Sequence, residues 1–209
     1  MDKGTTMAEF SAADVKRLRD LTGAGMMDCK KALEANSGDF EEAVVWLREQ
    51  GIAKAGKRAG RATANGVVEA YLHRTGDYPP QTGTMVELNC ESDFVAKGDD
   101  FRALARELAL HVAGASPRWL ARDDVPPEVI EAEREVAREQ ARNEGRPEAA
   151  WERIVAGRLE KFYEENVLLD QLWIRDGKTT IGDLIKQNIA KVQENITVRR
   201  FVRFNVKEA

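Results

Sequence analysis

Apolar side chains recur with the period of an α-helix at the start of the chain. Val15, Leu18 and Leu21 fall on one helical face. Ser11 stands before them and Asp14 follows it three residues later, which is the pattern of a capping box at a helix N-terminus. The first helix is therefore predicted to begin after Ser11 and to end at the glycine-containing stretch TGAG.

Two further amphipathic patterns follow before residue 51. The second helix carries Met26, Cys29 and Leu33 at helical spacing, and the third begins after Asp39, a residue type suited to capping. We expect residues 8–50 to form an N-terminal module of three helices that resembles a ubiquitin-associated bundle. A unit of this size is close to the lower limit of independent stability.

The next stretch, GIAKAGKRAGRATAN at residues 51–65, has a different composition. It is rich in alanine and glycine and contains the basic residues Lys54, Lys57, Arg58 and Arg61. Alanine favours a helix and glycine weakens one. This pattern predicts a partly helical basic linker and a domain boundary.

Residues 66–209 are predicted to form an α+β core domain. Period-two alternation places Val68, Ala70 and Leu72 on one face of a strand, and a second strand follows the turn-rich loop RTGDYPPQTG with the apolar residues Val86, Leu88 and Cys90. The two strands are expected to form a hairpin with one wet face. A third strand near the C-terminus alternates Ile196, Val198, Val202, Phe204 and Val206 with polar residues.

Helical patterns fill the sequence between the second and third strands. One helix carries a single apolar stripe of Phe101, Leu104, Leu108 and Val112. Residues 128–165 are predicted to form an antiparallel helical hairpin, with its hinge at residues 145–147 and its second arm on the core. A sheet covered by helices on one side gives an α+β layer architecture, with the three-helix bundle in front of it.

Composition narrows the possible functions. The 209 residues carry a net charge of −4, which argues against a generally basic nucleic-acid binder, so we expect no direct binding to nucleic acid. The sequence contains no apolar run near the roughly 20 residues of a membrane span and no signal-peptide pattern at its start. Its two cysteines, Cys29 and Cys90, are interpreted as reduced thiols of a cytoplasmic protein.

Residues suited to covalent catalysis are few. The two histidines, His73 and His111, stand in no arrangement that links them to a nucleophile, and no phosphate-binding glycine motif follows a predicted strand. We therefore expect no enzyme activity, no cofactor and no metal site. By itself, His111 is most simply interpreted as a half-buried structural residue at a helix edge.

Phe94 is out of place in this pattern. It stands beside Asp93 in the polar connection LNCESDFVAK, between the second strand and the helix that begins near Phe101. The ring either packs in the core of its own domain or stays exposed to contact a partner protein. The pattern alone leaves both alternatives open.

Several stretches together resemble the bacterial translation elongation factor Ts family. The resemblance is carried by VKRLRDLTGAGMMDCKKALEANSGDFEEAVVWLREQG, VELNCESDFVAK, ALHVAGASPRWL, EGRPEAAWERIVAGRLEKFY and VRRFVRFNV, which follow one another from about residue 8 to residue 206. It implies a guanine-nucleotide exchange factor that binds the GTPase elongation factor Tu and promotes GDP release. Such a factor acts by binding, without covalent chemistry.

The resemblance also assigns roles to residues. It implies that residues 92–95, hereafter the SDFV segment, disturb the magnesium site of the partner: Ser92, Asp93, Phe94 and Val95. The usual threonine of the family is replaced here by Ser92. If Phe94 is kept for the partner, its ring is expected to be largely exposed in the free protein.

Four other positions match residues that contact the GTPase: Met26, Lys30, Gly83 and His111. In the N-terminal module, Met26 and Lys30 lie four residues apart, so one helical face can present both. The competing interpretation of Met26 is core packing of the bundle.

The chain matches the short forms of the family, which pair as homodimers. The resemblance implies a twofold dimer with the sheet as its interface. Short forms can carry a cysteine near the last strand that links the dimer, and this chain has Val202 in that region, so we expect a non-covalent dimer.

Two alternatives from other functional classes remain at this stage. The N-terminal module could belong to a helical adaptor, or the basic stretch at residues 54–61 could bind RNA in a translation-associated protein.

Overall fold

The computed structural model describes residues 10–207, except for the side chains of residues 52–54. The predicted domain ends at residues 8 and 209 and the side chain of Lys54 lie outside the described residues. Within this range the chain forms eight α-helices, three β-strands and two short 3₁₀ turns. The helices are α1 (Ala12–Thr22), α2 (Met26–Ala35), α3 (Phe40–Arg58), α4 (Asp93–Lys97), α5 (Asp99–Ala115), α6 (Pro127–Asn143), α7 (Trp151–Asn166) and α8 (Ile181–Val192).

The strands are β1 (Asn65–His73), β2 (Thr82–Cys90) and β3 (Ile196–Asn205), and they form one antiparallel sheet in the order β1-β2-β3. Helices α5 and α8 pack on one face of this sheet. The largest core cluster joins residues of β2, α5, α8 and β3, among them Val86, Leu88, Phe101, Leu108, Ile185 and Val198. The α+β architecture predicted from the sequence is confirmed.

The first three helices enclose a small separate core. The Ser11 hydroxyl accepts a hydrogen bond from the Asp14 amide, and the Asp14 carboxylate accepts one from the Ser11 amide at 2.8 Å, so the predicted capping box is present. Val15 and Leu18 are buried together with residues of α2 and α3. Leu21, predicted to share their face, is exposed instead, in the last turn of α1.

Helix α3 continues beyond the three-helix core. It extends to Arg58, so residues 51–58 of the predicted linker are helical. Ala55 is buried in the main core cluster. A Cβ atom placed on Gly51 would come within 2.9 Å of Ala190 in α8, so the two helix backbones approach closely at that point. The end of α3 thus joins the three helices to the core domain by direct packing.

The predicted phase of β1 is wrong. Pairing with β2 directs Val67 and Tyr71 toward the core, and it leaves Val68 and Leu72 on the opposite face, where both are exposed. Both sets of alternating positions in β1 contain apolar residues, so period two did not reveal which set faces the helices. The face away from the helices, hereafter the outer face, is therefore exposed to solvent as predicted, but it carries apolar side chains where polar ones were expected.

A β-bulge changes the phase of β3. Leu88 pairs with Val198, but Glu87 pairs with Arg200, so Arg199 is an extra residue without an opposite partner in β2. Before the bulge Val198 is buried, and after it Val202 and Phe204 emerge on the outer face. The sequence pattern had placed all of these apolar residues on one face, which is a second correction.

Helices α6 and α7 form the predicted hairpin, with Gly145 in a left-handed conformation at its turn. The second arm was expected to pack on the main core. Instead, Val155 and Leu159 of α7 pack against Ala137 of α6 in a cluster of their own. The hairpin forms its own small core because its apolar stripe is matched across the two arms.

The described residues carry two further features that bear on function. No helix within residues 10–207 combines the length and apolar character that a membrane crossing requires. Both cysteines are buried and unpaired by any disulfide.

Candidate functional site

The SDFV segment lies at the turn from β2 into the short helix α4. The Phe94 ring is 84% exposed, whereas Ala96 in the same helix is 8% exposed and joins the main core cluster. The ring is thus not folded into the core of its own domain, and the predicted exposure of Phe94 is confirmed. An aromatic side chain held in water on an ordered helix is a surface suited to contact with another molecule.

Polar contacts fix the ends of α4. The Ser92 hydroxyl accepts a hydrogen bond from the Val95 amide at 3.3 Å, which is the N-cap of the helix. Lys97 Nζ lies 2.7 Å from a carboxylate oxygen of Asp93, one turn away. This hydrogen bond, with the charge of Lys97, lowers the pKa of Asp93, so the carboxylate beside Phe94 is ionised at neutral pH.

Cys90, the buried last residue of β2, supports the same turn. Its thiol donates to the carbonyl oxygen of Ser92 over 3.1 Å. Burial raises the pKa of the Cys90 thiol to about 11, and the nearby carboxylate of Glu194 acts in the same direction. The thiol therefore remains protonated and able to donate at neutral pH.

An open groove of about 490 Å³ runs beside Phe94 and includes Lys191 from the end of α8. Lys191 Nζ lies 2.6 Å from a carboxylate oxygen of Asp100 in the first turn of α5. The aliphatic stem of Lys191 also fills the space beside Gly23, where an added Cβ atom would lie 3.1 Å from it. Lys191 thus links the groove to the turn just before α2, the helix that carries the predicted contact residues Met26 and Lys30.

Helix α2 presents sulfur-containing side chains to solvent. Met26 and Met27 are both exposed, while Cys29 and Leu33 of the same helix are buried. The exposed side chain of Lys30 lies 3.6 Å from Glu34. Met26 is therefore not a core residue of the bundle, and Met27, which the sequence analysis did not single out, lies beside it on the surface.

His111 is fully buried, which differs from the half-buried edge position expected from the pattern. Its Nε2 lies 3.0 Å from Gln171 Oε1, and its Nδ1 lies 3.4 Å from the amide nitrogen of Ile174. Gln171 donates through its own nitrogen to the carbonyls of Ala115 and Glu165, so its oxygen is left to accept from Nε2–H. Nδ1 then accepts from Ile174, which defines a neutral tautomer.

Burial lowers the pKa of His111, and the hydrogen bond to Gln171 opposes this only in part. The ring is thus neutral at physiological pH and holds the backbone of the loop after α7. That loop exposes Leu172 and Ile174. This apolar pair was missed in the sequence, because an isolated Leu or Ile in a loop gives no periodic signal.

Gly83 lies in β2, opposite Leu72 of β1 and Phe204 of β3. A Cβ atom at this position would come within 2.9 Å of the Leu72 side chain. The structure therefore places Gly83 on the outer face of the sheet, where its small size makes room for Leu72. Its role in partner binding remains a prediction.

Apart from Gly83 on the outer face, the predicted contact residues lie toward the two ends of helix α5. The SDFV segment adjoins its N-terminal end, where Lys191 connects it to the α2 region. His111 lies about 18 Å further along the axis from Asp99, at 1.5 Å per residue. The described residues contain no cluster of His, Cys, Asp and Glu able to hold a metal ion. The SDFV segment and His111 thus lie toward opposite ends of one helix.

Comparison with known proteins gives a consistent result. The protein-family description "Elongation factor TS" matches residues 5–208. The chain is 54% identical to elongation factor Ts of Frankia casuarinae, over 97% of this chain and all of that protein. It is 54% identical to elongation factor Ts of Moorella thermoacetica over 95% of this chain and 96% of that protein. The corresponding protein of Fervidobacterium nodosum is 50% identical over 96% of this chain and its own full length.

Proposed function

Because this chain belongs to the elongation factor Ts family and is thus a translation elongation factor, we propose that it is the guanine-nucleotide exchange factor of elongation factor Tu. It binds this GTPase in the cytoplasm and promotes the release of GDP, without covalent chemistry and without a cofactor of its own. A protein that binds the nucleotide-free GTPase more tightly than the GDP form must weaken GDP binding by the same factor.

The observation that carries this proposal is the exposure of Phe94 on a helix whose other side is anchored in the core. The ring inserts into the GTPase domain, where apolar contacts replace its contact with water. Asp93 and Val95 contact the partner beside it. The insertion disturbs the magnesium ion that, together with the phosphate-binding loop, holds GDP in a GTPase.

Two further contacts hold the GTPase while the ring inserts. The exposed face of α2, with Met26 and Lys30, binds one part of the partner. The loop over His111 binds another through Leu172 and Ile174. His111 is buried and both ring nitrogens are occupied, so it supports this contact by holding the loop rather than by touching the partner.

The chain acts as a homodimer joined through the outer faces of two sheets. Five large apolar residues are exposed on this face, and they come from all three strands: Val68, Leu72, Met85, Val202 and Phe204. A monomer rarely exposes such a continuous apolar patch. A twofold axis would cover both copies of the patch with a single contact.

Release of a fluorescent GDP analogue from elongation factor Tu tests the proposal. Catalytic amounts of the chain should accelerate release, and a rate equal to spontaneous release would contradict it. A helical adaptor would bind the GTPase or another protein without accelerating release.

An RNA-binding factor would instead bind RNA in a salt-sensitive way through the basic stretch. This alternative has less support, because Arg61 lies 3.5 Å from the carboxylate of Glu91 and Arg58 bonds to Gln193. Two of the four basic residues are thus engaged within the chain itself.

A further inference from the structure

Helix α4 is too short to hold its own shape. It has five residues, and an isolated helix below about 12 residues is marginal in water because its first turn is costly to form. The direction of the Phe94 side chain must therefore be fixed by contacts from outside the helix.

One such contact comes from a distant part of the sequence. Glu194, in the turn between α8 and β3, accepts two hydrogen bonds from Ser92: one from the hydroxyl at 2.6 Å and one from the amide nitrogen at 3.0 Å. Since the hydroxyl proton goes to Glu194, a lone pair of the same oxygen is left to accept from the Val95 amide. The carboxylate thus orients the N-cap and also places a negative charge near the N-terminus of the helix.

The turn that carries Glu194 is itself fixed by a reciprocal contact. The amide nitrogen of Asn195 donates to a carboxylate oxygen of Glu91 over 2.6 Å. The buried side chain of Asn195 donates to the carbonyl oxygen of Arg61, just after α3, over 2.9 Å. Two adjacent residues of one turn are therefore bonded, in opposite directions, to the two residues that precede α4.

We infer that Glu194 is a positioning residue for nucleotide exchange, which holds Ser92 so that α4 presents Phe94 in a single direction. This inference rests on the proposed function and extends it to a residue outside the SDFV segment. Ordering a helix and its side chain in advance removes an entropic cost that would otherwise fall on the insertion step. Without Glu194, α4 frays in the free protein and the ring samples other directions.

The kinetic test compares Glu194→Ala with Glu164→Ala, which removes an equal charge from the exposed surface of α7. GDP release from elongation factor Tu is measured over a range of factor concentrations. Loss of two charge-assisted hydrogen bonds is expected to lower the maximal release rate about tenfold. The half-saturating concentration should change less than about twofold, because the other contacts hold the GTPase equally well before and during GDP release. Glu164→Ala should behave like the unmodified chain, and Glu194→Gln, which keeps one acceptor oxygen, should lie in between.

A double variant distinguishes positioning from general damage. If Glu194 acts through Phe94, adding Glu194→Ala to Phe94→Ala should slow release by no more than Phe94→Ala alone. Rate losses that multiply would overturn the inference, because they would show that Glu194 acts independently of the ring.

Amide hydrogen exchange in the free chain tests the same idea without the partner. Glu194→Ala should speed exchange at Val95 and Ala96 at least about tenfold, while amides in the middle of α5 keep their protection. Unchanged exchange in α4 would overturn the inference even if the chain accelerates GDP release. Conversely, faster exchange in α4 with no acceleration by the unmodified chain would contradict the proposed function alone. If Glu194→Ala does not fold, Glu194→Gln and Ser92→Ala take its place in each measurement.

Discussion

Phe94 and Ala96 lie two residues apart in one short helix and have opposite environments. The phenylalanine ring is 84% exposed, and the alanine methyl group is buried against the main core. The buried side of α4 therefore fixes the helix on the domain, and its other side presents the ring. Because Ala96 makes the packing contact and Phe94 supplies the exposed ring, the ring can be removed without disturbing the packing.

Replacement of Phe94 by Ala should slow factor-dependent GDP release at least about tenfold, since insertion of an aromatic ring contributes a few kcal/mol that alanine cannot supply. The free energy of unfolding should change by less than about 0.5 kcal/mol, as expected for an exposed position. Tyr78→Ala, at a comparably exposed residue of the loop between β1 and β2, serves as the control and should leave release unchanged. A variant that unfolds instead would show that the ring is part of the core.

If the chain forms the proposed dimer, replacement of Phe204 by Arg should separate it into monomers. A charge on the outer face would have to be buried without a partner, which costs several kcal/mol. Tyr78→Arg is a matched control, because Tyr78 is 73% exposed and Phe204 is 70% exposed. Sedimentation or light scattering over a concentration series measures the mass. A Phe204→Arg chain that retains the mass of a dimer would exclude this face as the interface.

The stability of the chain should fall on acidification because of His111. Its pKa lies below the ordinary value of 6.5 in the folded protein, through burial. As the pH falls through the ordinary histidine pKa, His111 binds a proton in the unfolded chain but not in the folded chain. The free energy of unfolding therefore decreases. The decrease stops once pH is below the pKa of the folded state.

Denaturant unfolding at about pH 7.5 and about pH 5.5, above and below the ordinary histidine pKa, checks this expectation. His111→Gln should show a smaller loss of stability between the two conditions than the unmodified chain. His73→Gln, at an exposed position, should follow the unmodified chain. Equal pH dependence in the His111→Gln variant would contradict the assignment.

Two glycines of α3 should respond to alanine in opposite ways. A Cβ atom at Gly51 would meet Ala190 of α8 at 2.9 Å, whereas one at Gly56 would meet nothing within 4 Å. Gly51→Ala should lower the free energy of unfolding by about 1–3 kcal/mol through overpacking. Gly56→Ala should raise it by up to about 1 kcal/mol through helix propensity. Thermal unfolding measures both, and a stabilising Gly51→Ala would show that α3 and α8 separate easily.

Much of the fold was predictable because its signals are local. The capping residues Ser11 and Asp39 and the apolar stripe of α5 follow from spacing along one element. The face of β1 was not predictable, since both sets of alternating positions contain apolar residues and only the pairing with β2 decides between them. The bulge at Arg199 also depends on the pairing, so no pattern within β3 alone reveals it.

The site was predictable only in part, for a related reason. The resemblance pointed to Phe94, and the structure shows the exposure that was expected of it. Glu194 lies 102 positions from Ser92 in the sequence, and nothing in its neighbourhood marks it as different from other surface acids. Contacts of this kind appear only when the chain is folded.

The bulge at Arg199 makes one strand serve two surfaces. Its first half closes the core and its second half supplies Val202 and Phe204 to the outer face. Loss of a single codon at this position would keep the reading frame and nearly the whole sequence. It would remove the bulge and leave Val202 and Phe204 on the outer face, because Arg200 would still pair with Glu87. If the full strand instead paired without the bulge, strict alternation from Val198 would turn both residues toward the helices. The surface that the proposed dimer would use thus depends on the bulge in this one strand as much as on the residues that form the contact.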